Sequence, residues 1–127
     1  MKQDIMEPGF VYHFYNRGNN KENIFIDERN YLYFLNLMKK YLLIISDVYG
    51  YCLLKNHFYI MVRIKDYDRL PEKYNVKVFQ PISNMFNAYT KSINKIYKRS
   101  GSLFQEHLHR HHVMNQQYLI NLLLYIH

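Results

Sequence analysis

Apolar and polar residues alternate along "FVYHFYNRG", Phe10 to Gly18, an aromatic-rich run that reads as a strand stopped by a glycine turn. The period then changes. Tyr31, Phe34, Leu35, Met38, Leu42 and Ile45 recur at spacings of three and four behind Asp27, a residue suited to an N-cap, so a helix is predicted through about Ser46. "DVYGYCLLKNHFYIMVRI" is too rich in β-branched and aromatic residues for a helix and reads as two strands, about 47–54 and 57–64, turning at Lys55-Asn56. Residues 66–78, with a proline and mixed charges, read as a loop. A second helix is predicted from about Pro81, with Ile82, Met85, Phe86, Tyr89, Ile93 and Ile96 as its apolar stripe and Gly101 as its stop. "LFQEHLHRHHV" alternates and reads as a strand, and Asn115 caps a last helix, "QQYLINLLLYIH".

The order β-α-β-β-α-β followed by a helix predicts an α+β, ferredoxin-like domain over residues 1–127. Its antiparallel sheet would carry two helices on one face. Apolar content of 49% in 127 residues is enough for one core and excludes disorder. A single cysteine, Cys52, can form no internal disulfide. With no apolar run of 18 residues and no signal-like opening, the expectation is a soluble, cytoplasmic protein with no membrane partner.

Charge sharpens the picture. Residues 1–62 hold seven Lys/Arg against six Asp/Glu, whereas residues 63–110 hold ten against four, and 111–127 hold neither. A basic segment of this kind suits a polyanion, most often nucleic acid, or else a solvated surface. Within it Lys91, Lys95 and Lys98 fall at i, i+4 and i+7, opposite the apolar stripe, and Arg99 and Arg110 extend that ridge.

Three constellations could carry chemistry. If Phe58, Ile60 and Val62 pack beneath the helices, His57, Tyr59 and Met61 face the open side of the sheet. A second imidazole at position 59 would make a two-ligand metal site, but a neutral phenol stands there instead. Tyr118 and Tyr125 are seven apart on the last helix and share a face; a tyrosine aimed at a polarised phosphate is a nucleophile, although core packing is the ordinary role for such a pair. His107, His109 and His111 alternate along their strand. They read as its polar side, or as replacement ligands beside His57 if that strand neighbours the central hairpin.

In this order the chain resembles the single-tyrosine HUH transposases, in particular the REP-associated tyrosine transposases. The resemblance rests on "YHFYNRGNNKENIFID", "GYCLLKNHFYIMV", "YTKSINKIYKRSGSLFQEH" and "YLINLLLYIH", which together span almost the whole chain. It implies that His57 is a metal ligand, with Tyr59 at the degenerate second position, and that Tyr125 is the nucleophile. Mg²⁺ or Mn²⁺ would be the cofactor, and single-stranded DNA with hairpin-forming ends the partner. The product would be a 5′-phosphotyrosine link and a free 3′-OH. Arg17 and Gly18 match the "RG" that ends the family's first strand, where a backbone or DNA contact is expected.

Two departures accompany the match. Tyr59 replaces a histidine, and the chain ends two residues after Tyr125, before the polar residue that the family's helix carries four positions on. The expectation for the C-terminal helix is therefore either a truncated or trimmed chain or a decayed element. A catalytically impaired DNA hairpin- or end-binding module is the alternative function, and an RNA-binding domain using sheet-face aromatics a third. A homodimer, in which each copy completes the other's site, is left open.

Overall fold

The computed structural model describes residues 6–113. Its elements are β1 (Val11–Arg17), α1 (Glu28–Leu37), β2 (Ser46–Leu54), β3 (His57–Ile64), α2 (Gln80–Ile96) and β4 (His109–His112). The strands form one antiparallel sheet in the order β2-β3-β1-β4, so the hairpin β2–β3 lies beside β1 and the short β4 forms the far edge. That is the ferredoxin-like arrangement predicted. The last predicted helix, with Tyr118 and Tyr125, lies outside the described residues.

One face of the sheet is apolar because the even-numbered residues of β1 and β3 point the same way. Tyr12, Phe14, Phe58, Ile60, Val62 and Ile64 are all buried there. The stripes of both helices close over them, and the centre is a stack of rings. Phe58 lies 5.8 Å from Phe34 of α1, 5.3 Å from Phe86 of α2 and 5.9 Å from Phe104. The Tyr89 hydroxyl would be stranded in this core, but it donates to the carbonyl of Ile24 at 2.6 Å.

Local rules explain where the helices begin and end. Asp27 caps α1 by accepting from the backbone N–H of Arg29, which holds its carboxyl below the usual carboxylate range. Asn30 returns the favour: its Oδ1 accepts from Ile26 and Asp27 N–H at 2.8 Å each. Helix α1 does not reach Ser46 as its periodicity suggests. After Leu37 the chain widens into a π-turn, Met38–Leu42, which brings Leu37 into the core beside Met38. Ser46 instead starts β2, its hydroxyl donating to the Leu42 carbonyl at 2.7 Å.

Helix α2 also stops early. The helix is closed at Lys98, which takes the left-handed conformation (φ 51°) three residues before Gly101 does the same (φ 84°), and Arg99 N–H reaches back to the Asn94 carbonyl at 3.0 Å. This is a Schellman-type closure built without glycine. Ile96, expected in the stripe, is consequently 58% exposed. The predicted strand from Leu103 shrinks to four residues, because the Asn16 side chain donates to the Gln105 carbonyl and Leu103 turns into the core.

Candidate functional site on the open face of the sheet

The odd-numbered residues of β1 and β3 face away from the helices, and the register arranges them in rows. Leu54, His57 and Arg17 form one row; Cys52, Tyr59, Tyr15 and His109 the next; Gly50, Met61, His13 and His111 the third. The face expected from "HFYIM" therefore exists, and β1 contributes as much to it as β3.

His57 is held from behind by the backbone. The turn before it is pinned where the Lys55 carbonyl accepts from Ile24 and Phe25 N–H, at 2.7 and 3.0 Å. Next to it the Asn56 carbonyl accepts from Gly18 N–H at 2.8 Å. Position 18 must be glycine, since a Cβ there would lie 1.9 Å from the Glu22 carbonyl oxygen. The "RG" pair thus has a local structural reason: the glycine lets the loop close against the hairpin, and Arg17 is left exposed directly across from His57.

The side chain of Asn56 sets the tautomer of His57. Its Oδ1 lies 2.6 Å from His57 Nδ1, a contact that in the neutral ring places the proton on Nδ1 and the lone pair on Nε2. That is the form in which an imidazole binds a cation. Tyr59 meets His57 edge-on at 5.5 Å and stacks on His13 at 5.6 Å with 7° between planes.

The histidine row does not complete a shell around His57. Strand β4 neighbours β1 rather than the hairpin, so His109 and His111 stand two strands away, roughly 9–10 Å at the usual strand spacing. His107 lies outside β4 altogether, exposed beside Glu106. Among the described residues no three His, Cys, Asp or Glu side chains converge to hold a metal ion. Among the described residues His57 and Tyr59 would supply one imidazole and one phenol to a divalent cation, with the rest of its coordination left to other oxygen donors.

The basic residues separate into distinct environments. Lys91 and Lys95 are exposed on the outer face of α2, with Lys98 just past its end. Arg99 is engaged inside the fold: it pairs with Glu22 at 2.5 Å, donates to the Ser102 carbonyl and binds Asn94 Oδ1. Arg110 lies over the ring of Phe79 at 4.3 Å, on the helix side of the sheet. There it borders a groove of about 910 Å³ between α2 and residues 101–108, away from His57.

His13 and Tyr15 are site residues that the sequence reading passed over, although the alternation of "VYHFYNR" puts them on the face of Arg17. His13 is 6% exposed, and burial followed by the nearby His111 depresses its pKa to about 4. The groups facing it are His111, Tyr15 and Tyr59. Between pH 6.5 and 4 the unfolded chain binds a proton that native His13 refuses, so stability falls as pH drops through that window. The contribution of this residue approaches 1.4 kcal/mol per pH unit. Urea denaturation in EDTA at pH 7 and pH 5 should show a steeper loss than in His13→Gln; equal slopes would contradict the burial of a neutral imidazole.

No family model and no curated protein matches this chain. Among solved structures it is similar to one described as a REP-associated tyrosine transposase bound to a REP hairpin. The likeness has a TM-score of 0.65 at 12% identity and covers 99% of this chain and 69% of that one. It establishes the class of fold, an α+β domain with four antiparallel strands and two helices. No helix among the described residues is long and apolar enough to cross a membrane.

Proposed function

We propose that this chain acts on single-stranded DNA with hairpin-forming ends, as a nickase and strand transferase of the single-tyrosine HUH transposase type. The observation that carries the reading is His57: it stands on the face of a transposase-like sheet that lies away from the helices, its Nδ1 paired with Asn56 Oδ1. The solved structure of like fold is described as bound to a REP hairpin, and the basic segment suits such a ligand. In this reading the Tyr125 oxygen attacks a backbone phosphate, forming a P–O bond while the bond to the 3′ oxygen breaks. The phenolic proton leaves and the 3′ oxygen gains one. Mg²⁺ or Mn²⁺ is the cofactor we assign, with His57 as its imidazole. Arg17, Lys91, Lys95 and Lys98 are the cations best placed to meet phosphates, whereas Arg99 contributes through its ion pair with Glu22.

A second reading is favoured by Tyr59 and by the lack of a three-ligand cluster among the described residues. It is a module that binds hairpins without cutting them. One assay separates the two: the chain is incubated with a hairpin-bearing single strand and Mn²⁺ or EDTA, then run on a denaturing gel. A Mn²⁺-dependent covalent adduct is expected, with a several-fold higher yield in Tyr59→His. Salt-sensitive binding with no adduct from either protein would replace the nickase by the binding module.

A further inference from the structure

The row Gly50, Met61, His13 and His111 plays no part in the reading above. At its centre the buried Nε2 of His13 has no hydrogen-bond partner. Stranding such an atom is costly, because its lost hydration is not replaced. Among the described residues nothing repairs it. Met61 has no donor, Tyr59 offers the face of its ring, and the Tyr15 hydroxyl is committed to His111 Nε2 at 3.0 Å.

The residue directly opposite His13 on β4 is His111. Opposed residues on antiparallel strands have Cβ atoms about 4.5–5.5 Å apart. Two imidazoles at that separation can close on one cation through bonds of about 2.0–2.1 Å. The Tyr15 oxygen fits the same geometry, because two donors on a tetrahedral ion lie roughly 3.3 Å apart. Since β4 is an edge strand and His111 is exposed, an ion can enter from that side.

We propose that His13 and His111, with the Tyr15 hydroxyl beside them, form a cross-strand site for a borderline transition-metal cation, zinc foremost. Imidazole selects Zn²⁺, Cu²⁺ or Ni²⁺, whereas Mg²⁺ and Mn²⁺ prefer oxygen ligands. Two imidazoles and a phenol leave room for water, so affinity is moderate. The site is separate from His57. His13 pairs with Met61 and His57 with Arg17, four residues along the ladder, about 13 Å at the usual rise. Occupancy ties β4, which among the described residues pairs only with β1, to the middle of the sheet. The proposal does not depend on the DNA reading.

The test uses the untagged chain, stripped with EDTA and titrated with Zn²⁺ by calorimetry and with Co²⁺ by visible absorption. One ion per chain is expected, with a Zn²⁺-dependent rise in Tm that excess Mg²⁺ does not prevent. His111→Ala, at an exposed position, should weaken binding by about tenfold or more, as should His13→Gln, while His57→Ala leaves it unchanged. Absence of binding, or binding that survives His111→Ala, would overturn the proposal. Loss in His57→Ala alone would do the same, by placing the ion at the other site.

Discussion

Replacing Tyr125 with phenylalanine is expected to abolish covalent attachment to single-stranded DNA while leaving hairpin binding intact. The substitution removes one oxygen, and with it the only atom that can form the phosphotyrosyl bond, so the loss should be at least about 10³-fold. On the proposed reading, binding rests on phosphate contacts spread over several lysines and arginines, to which a neutral phenol adds no charge. The denaturing-gel assay reads the first quantity, and anisotropy of a labelled hairpin across a salt series reads the second. Tyr118 is the internal control, seven residues earlier on the same predicted face. An adduct retained in Tyr125→Phe but lost in Tyr118→Phe would move the nucleophile by two turns. An adduct retained in both would remove the tyrosine mechanism.

What could be read from the sequence follows from which patterns have one physical solution. Alternation in "NHFYIMV" admits a single assignment of faces once Phe58 is inside, and the structure places His57 and Tyr59 as that pattern requires. The turn at Lys55-Asn56 and the cap at Asp27 were equally legible, since both depend on neighbours in the chain. Element ends decided by distant contacts were not. Periodicity carries a helix through Met38–Leu42 but cannot announce a π-turn, and Gly101 looks like a stop until Lys98 is seen to take the left-handed position.

The histidine row failed for a different reason. "EHLHRHH" gives the same alternation whichever strand it borders, and only the sheet order separates a ligand beside His57 from a partner for His13. Arg99 is a similar case. Its charge counts toward a basic ridge in the sequence, yet Glu22, far away along the chain, claims it in the fold.

The largest stability effect is expected at Phe58. Its side chain is fully buried on a central strand, ringed by Phe34, Phe86 and Phe104, and thus joins α1, α2 and the segment before β4. Truncation to alanine removes the apolar contact with all three and leaves a cavity that a sheet centre cannot collapse to fill. The cost is about 3–5 kcal/mol, comparable to the whole stability of many domains of this size. Urea denaturation should therefore find Phe58→Ala largely unfolded at room temperature, against a change within about 0.5 kcal/mol for Ile96→Ala, which is mostly exposed. A loss below about 1 kcal/mol at Phe58 would mean that this ring cluster does not hold the helices to the sheet. The consequence reaches the site, because His57 and Phe58 are neighbours on opposite faces of β3. The ring that anchors the strand from below also fixes where the imidazole stands above. Phe58→Leu, which keeps most of the volume, should accordingly preserve both the fold and whatever activity His57 supports.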